Sequence, residues 1–394
     1  KPQTLETLKG FERMYANNYN FEVVIVDDNS NDENRLEEDI KQFSFPINLI
    51  VITKEEKGDR INPCVAYNRG FKEAIGDIII IQNPECYHVG DIIKYTIENL
   101  KEEDYFSYSC FTANSEEISN EMINCNFEDM KYLLEDKYFL QKNKSLLGLN
   151  WYNHPYESGR QTYFHFCSAI FKSKLDLIGG FDIRFSDGYC FDDDEILLAI
   201  KYNLRLNLSI IDTKECFVIH QYHTRNASLN IEDADDSNIV KQKWLKNKNL
   251  YNKIKKNHEK NDFIYPKLLF LYWDGSPLSY LNYLTVISFN NYNPGWKIIV
   301  FMPKKKIDTK SWNTDENKSK YTGRDYFDKL YNIDNLVIKK VSLDEIGFYS
   351  EASEVIKSDY FRYYILEKHG GLWSDFDIIY TKSIEYNMNF KTDN

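Results

Sequence analysis

Three short runs, FEVVIVDD, INLIVITK and DIIIIQN, are almost continuously apolar, and helix-length segments separate them. Strands without polar alternation bury both faces, which parallel strands do when helices cover each side of their sheet. The pattern predicts a helix over 4–18, a first strand, a capped helix over NSNDENRLEEDI, a second strand, a helix over NPCVAYNRGFKEAIG and a third strand. That is a doubly wound α/β layer. Residues 92–150 read as helical and irregular insertions, after which TYFHFCSAIFKSKLDLIGGF and LNLSIIDTKECFVIH complete the unit. From about Asn226 to Asp262 the chain turns polar and Lys-rich, with NIVKQKWLKNKNLYNKIKKNHEKND read as a solvated charged helix. A new α/β alternation begins at Tyr265. The expected organisation is therefore a first domain over 1–225, a helical linker or closing helix over 226–262 and a second domain over 263–394.

The 394-residue length agrees, since it exceeds what one hydrophobic core usually serves. Hydrophobic content of 42% and aromatic content of 15% are ample for packed interiors. The net charge of -12 excludes general nucleic-acid binding, which rests on clustered Lys and Arg neutralising phosphates. A small phosphate ligand stays compatible if a metal carries the positive charge. Seven cysteines without a CxxC pair argue against a zinc site, and the odd count argues against a complete disulfide framework. A reducing, cytoplasmic setting follows as the expectation. No run approaches the roughly 18 apolar residues of a membrane span, and no signal peptide is visible.

Four places could carry chemistry. VVIVDDNSND sets Asp27 and Asp28 at the carboxyl end of a strand, where open α/β sheets bind ligands, although such residues also cap helices. FDDDEILLAIKY is a carboxylate run that suits either a helix N-terminus or proton transfer. FVIHQYHTRN puts His220 and His223 just past a strand, as metal ligands or as structural histidines. SDYFRYYILEKHGGLWSDFDII is the most informative. Asp359 and Arg362 are one helical turn apart, and Gly370 and Gly371 stop the helix and permit a close backbone approach to a ligand. Asp375 and Asp377, at i and i+2 of a strand-like run, would leave one face of the pleat and share a hard cation, the partner of a diphosphate.

This last block resembles the sugar-transfer region of family 32 glycosyltransferases, SDxxRxxxLxxxGGxYxDxD, and YPKLLFLYWDGSPLSYL resembles their opening strand, IPKxIHxxW, with its usual His replaced near Phe270 or Leu271. The resemblance implies that Asp375 and Asp377 hold Mn2+ or Mg2+ on the diphosphate while Asp359 and Arg362 contact the donor sugar. In the first half, NPCVAYNRGFKEAIGDIIIIQNPE is similar to the family 2 glycosyltransferase pattern ARNxGxxxAxGxxIxFLDxDD. Asn68 then falls on the family's Asn, Tyr67 replaces its Arg, and Lys57 or Arg60 is left to make the diphosphate contact. The usual DxD becomes Asn83, Pro84 and Glu85, with both side chains on one face of a strand end, Glu85 charged and His88 a candidate helper. IGGFDIRFSDGYCFDDDEI resembles the GGFDExFxxxxxEDxEL block, which makes Asp193 the general base beside Asp192. His220 and His223 fall where related enzymes complete the metal shell. Trp151, His154 and GRQTYFHF become acceptor walls, and the insertions of 92–150 lie on the acceptor side.

Together these resemblances imply two GT-A domains in tandem, Rossmann-like with mixed, mostly parallel sheets. They imply a bifunctional metal-dependent enzyme that moves sugars from nucleotide-sugar donors, UDP-sugars by default, to a glycan or glycoprotein. The families' own layouts also imply a strand before Lys1 and further elements after Asn394. The competing reading is a carbohydrate- or nucleotide-binding protein whose sites have decayed, because NPE stands for DxD. A nucleotidyltransferase would need a Gly-rich, Lys-bearing phosphate loop that the sequence lacks.

Overall fold

A computed structural model describes residues 1–113, 115–125, 163–211, 213, 215–223, 235, 237–259, 265–305, 321–348 and 352–384. The chain divides into unit 1, residues 1–197 and 206–251, and unit 2, residues 198–205 and 252–394.

Unit 1 opens with α1 (Pro2–Met14), β1 (Val23–Asp27), β2 (Ile47–Val51), the one-turn α2 (Lys54–Lys57), α3 (Cys64–Glu73) and β3 (Ile78–Gln82). β4 (Cys86–Val89), α4 (Ile92–Asn99), β5 (Asp104–Tyr108), β6 (Cys110–Thr112) and α5 (Glu116–Asn124) follow. β7 (Cys167–Phe171), α6 (Lys172–Ile178), α7 (Asp192–Leu198), β8 (Asn207–Ile211), β9 (Phe217–His220) and the first part of α8 (Ile239–Glu259) complete it. The three apolar runs become β1, β2 and β3, and β1 and β2 pair in parallel as expected. The capped helix between β1 and β2 is absent: only two short 3-10 turns form there, Asp32–Asn34 and Asp39–Gln42. Asp27, Asn31 and Asp39 tie local side-chain and backbone groups in this stretch, bonds that compete with helix.

The insertions expected from residue 92 contain two strands that the sequence reading missed. DYFSY lacks alternation because Tyr105, Phe106 and Tyr108 are all buried, and as β5 it pairs antiparallel to β7 and parallel to β8. The resulting sheet has the order β3-β7-β5-β8, and a second one has the order β4-β9-β6. Cys86, Cys110, Cys167 and Cys216 pack with Phe106, Tyr108 and Val218 in the main core. A cavity of 660 Å³ lies between β1 and β3, lined by both strands, by α1 and α3, and at one end by Asp28, Tyr67, Asn83 and Pro84.

Unit 2 contains β10 (Leu268–Tyr272), α9 (Tyr280–Tyr292), β11 (Lys297–Pro303), β12 (Leu336–Val341), α10 (Glu354–His369) and β13 (Leu372–Trp373). Its sheet, β12-β11-β10-β13, is wholly parallel. LLFLY of β10 is buried at every position, as a central parallel strand requires, so Phe270 and Leu271 are core residues in place of a ligand-facing His. The Lys-rich segment is the helix α8, but one face of it is packed: Trp244, Asn247, Ile254 and His258 are buried, which corrects the solvated reading. Among the described residues no helix is long and apolar enough to cross a membrane.

Candidate active site

The two aspartates ending β1 divide their work. Asp27 is buried and builds the turn: its Oδ1 accepts from the Ser30 N–H at 2.6 Å and its Oδ2 lies 3.4 Å from Arg35. Asp28 lines the cavity instead. Lys57 Nζ donates to its carbonyl at 2.7 Å and approaches its Oδ2 at 3.2 Å, whereas Arg60 stands off at 3.9 Å. Its buried Oδ1 accepts no hydrogen bond and has Arg60 as its ionic neighbour.

Asn83, Pro84 and Glu85 form a turn rather than a strand end, closed by the Cys86 N–H on the Asn83 carbonyl at 3.0 Å. Their side chains therefore separate. Asn83 Oδ1 accepts from the Tyr67 hydroxyl at 3.1 Å, and Glu85 turns to His220. The antiparallel register sets Cys86 opposite His220, so Glu85 Oε1 meets His220 Nε2 at 3.2 Å, and His223 follows on the same chain end. One ligand atom from each of Glu85, His220 and His223 lies within 4.8 Å of the others. Among the described residues this is the one group of three or more such side chains that could hold a metal ion. Burial alone would raise the Glu85 carboxyl, but the hydrogen bond and charge of His220, a backbone N–H and His223 hold it below its usual value. The buried His220 Nδ1 has no partner. A carboxylate kept ionised beside two imidazoles is a donor set that fits a divalent transition ion better than Mg2+.

The acidic run starts α7 after two left-handed non-glycine residues, Cys190 at φ 61° and Phe191 at φ 68°. Such backbone persists only where its surroundings impose it. Here Asn247 Nδ2 donates to the carbonyls of Cys190 and Phe185, each at 3.0 Å, and the Phe191 ring stacks on Tyr251 at 5.5 Å. Asp192 is buried and accepts from Asn62 Nδ2 at 2.7 Å; burial and Asp193 raise its carboxyl despite that bond. Asp193 keeps 35% of its side chain open, and its Oδ1 is 3.0 Å from His165 Nδ1. Burial, with Asp194 beside it, pushes the Asp193 carboxyl up to about 7, the range of a working general base.

Two expectations move. His88 is buried, bonded through Nδ1 to the Tyr15 hydroxyl at 2.9 Å and through Nε2 to Gln82, so it is a core histidine and no metal helper. Asn68 exchanges both amide groups with the Phe181 backbone at 2.8 Å, tying α3 to the loop after α6 rather than reaching toward the cavity. Trp151 and His154, with the start of GRQTYFHF, lie outside the described residues. Of that segment His165 matters most, and the sequence signalled it only by its place two residues before an apolar strand.

In unit 2, β13 ends at Trp373, so Asp375 and Asp377 lie beyond the strand and the pleat does not align them. Both are exposed and flank buried Phe376, whose carbonyl accepts from Asn282 and Thr285. Asp375 Oδ1 accepts from Arg362 Nη2 and from Trp373 Nε1, each at 3.0 Å. Arg362 also meets Asp359 at 3.3 Å and lies 5.3 Å over the Trp373 ring. Gly370 stops α10 at φ +66°. Gly371, at φ +91°, makes its close approach to β10 rather than to a ligand, since a Cβ there would sit 2.8 Å from the Leu268 carbonyl.

Comparisons with known proteins agree with this division. Residues 2–165 match the model for Glycosyl transferase family 2, and residues 282–393 match that for the glycosyltransferase sugar-binding region containing a DXD motif. Two separate stretches of this α/β chain are thus similar to glycosyltransferase families. In chain order, the stretch similar to family 2 comes first and the one similar to the DXD sugar-binding region follows it. The acidic run, His220 and His223 lie beyond the first match. A dolichol-phosphate mannosyltransferase of Pyrococcus furiosus is 33% identical over 82 residues, 21% of this chain and 22% of that protein. The chain therefore spans about a fifth of that curated relative's length. TarS 1-349 of S. aureus is 14% identical, covering 56% of each chain, at a TM-score of 0.34. GlyE of Streptococcus pneumoniae TIGR4 is 11% identical over 95% of this chain and 88% of its own, at a TM-score of 0.29.

Proposed function

We propose that unit 1 is an inverting glycosyltransferase acting on a nucleotide-sugar, with a UDP-sugar as the default donor and a hydroxyl of a glycan or glycoprotein as acceptor. Convergence of Glu85, His220 and His223 where β4 and β9 pair supports this reading most strongly. These three residues would hold Mn2+ in preference to Mg2+, and such an ion supplies positive charge to the departing diphosphate. Asp28, Lys57 and Asn83 border the donor side. Asp193 takes the acceptor hydroxyl proton as that oxygen bonds to the anomeric carbon, and the bond from that carbon to the diphosphate breaks with its electron pair on the nucleotide. Asp192, held by Asn62, fixes the start of α7 behind it.

Unit 2 is proposed to carry a second, configuration-retaining transfer, with Asp359, Arg362, Asp375 and Asp377 on its donor. One observation favours a binding role there instead: Arg362 and Trp373 already occupy Asp375. A screen of UDP- and GDP-sugars with Mn2+, following nucleotide release, tests the proposal. Release from one donor that Asp193→Asn abolishes supports it; undiminished release by that variant overturns the assignment of the base.

A further inference from the structure

A histidine outside the acidic run lies against Asp193. His165 lies just before β7, with 7% of its surface exposed. Its Nδ1 is 3.0 Å from Asp193 Oδ1. The ring cannot swing away, because two aromatic rings meet it nearly edge-on: Tyr67 of α3 at 5.0 Å and 84°, and Phe181 at 5.1 Å and 70°. Tyr67 and Phe181 are themselves stacked at 5.1 Å. Tyr67 also donates its hydroxyl to Asn83 in the turn that carries Glu85. The next residue, Phe166, accepts the Asn83 N–H on its carbonyl at 3.2 Å and sets its ring 6.0 Å from His220. Two adjacent residues thus reach the two centres of the site from one chain segment.

We propose that His165 is a positioning residue for Asp193, donating its Nδ1–H to the carboxylate so that the free oxygen points at the acceptor hydroxyl, with Tyr67 and Phe181 fixing the imidazole plane. The proposal rests on Asp193 being the general base. It also gives Tyr67 a purpose where the related pattern has Arg: an aromatic ring is needed to hold the histidine. Burial keeps the His165 imidazole well below its usual value, so it is neutral at pH 7 and has one N–H to give. The groups acting on Asp193 are Asp192 and Asp194 of α7, Cys190 before it, His165, Tyr67 and Tyr105 of β5.

The test compares His165→Phe, His165→Asn and Asp193→Asn in the full chain, with the donor found by the screen and each variant's fold checked by circular dichroism. His165→Phe keeps a ring for packing but donates nothing. It is expected to lower kcat about 10- to 100-fold with donor KM within about twofold, the scale of a misplaced catalytic group. The acid limb of its pH profile is expected to move to higher pH, because the carboxylate loses a donor that favours its ionised form. His165→Asn places an amide N–H near the lost Nδ1 and is expected to recover most of the rate and of the limb. If Asp193→Asn is inactive while His165→Phe matches wild type in both kcat and limb, the inference is overturned and the base stands. If a folded His165→Asn is as slow as His165→Phe, with an unmoved limb, the role is packing and the inference is again overturned. If Asp193→Asn retains full turnover, the base assignment itself falls.

Discussion

Unit 1 and unit 2 place their ionisable groups differently. In unit 1 several charged and titratable groups are left partly unsatisfied: Asp28 Oδ1 and His220 Nδ1 make no hydrogen bond, and Asp193 keeps 35% of its side chain open. In unit 2 one buried ion pair is sealed, although the buried His258 Nδ1 and Arg362 Nε also make no hydrogen bond. Lys357 meets Glu354 at 2.6 Å with both almost wholly enclosed, and the Tyr272 hydroxyl donates to the remaining Glu354 oxygen at 2.8 Å. Its DxD carboxylates lie outside, one of them held by Arg362. Unmet polar groups cost stability and persist where a ligand satisfies them, whereas a fully paired buried ion pair serves the fold. The contrast shows that an intact DxD in the sequence need not bring its carboxylates together with other ligand-type side chains. The degenerate NPE turn of unit 1 gains two imidazoles through strand pairing, and the intact DxD of unit 2 gains an arginine.

Substitutions can break or sharpen this contrast. The largest effect is expected from Asp193→Asn, a loss of about 10²- to 10⁴-fold in kcat for the unit 1 transfer with no loss of folding, measured by nucleotide release. Lys357→Ala should act on stability alone. It strands Glu354 in the interior and is expected to cost unit 2 about 3–5 kcal/mol in urea unfolding. Asn247→Ala removes the two bonds that hold the left-handed turn before α7 and is expected to cost about 1–3 kcal/mol. The pH profile carries its own sign. Asp193 must be ionised to accept a proton, and its carboxyl is raised to about 7. Consequently kcat/KM should climb with pH through about 7 and level off above it, falling about tenfold per unit on the acid side. The smallest effect is Arg362→Ala. Its partner Asp375 is 55% exposed, so stability should change by less than about 1 kcal/mol.

Much of this was legible in the sequence wherever one local signal decided the outcome. The unalternated runs became β1, β2 and β3, and LLFLY became the central strand of unit 2. The helix over EVIKSDYFRYYILEKH formed at Glu354–His369. Phe361 and Ile365 are buried as its spacing suggested, but Ile356 is 54% exposed because Glu354 and Lys357 turn inward as a pair. What stayed hidden depends on partners far along the chain. Glu85 meets His220 only because β4 pairs with β9, and His165 meets Asp193 only because β7 and α7 begin near one another. The Asp375 and Asp377 geometry failed for a local reason: the strand stops at Trp373, two residues before Asp375 and four before Asp377.

The central claim is that the metal centre of this chain is Glu85, His220 and His223. Titrating the full chain with Mn2+ by electron paramagnetic resonance, beside Glu85→Gln, His220→Ala and the double variant Asp375→Asn/Asp377→Asn, tests it directly. The account predicts one tight Mn2+ site that weakens by about 100-fold in either unit 1 variant and persists in the double variant. A tight site lost only in the double variant would contradict it.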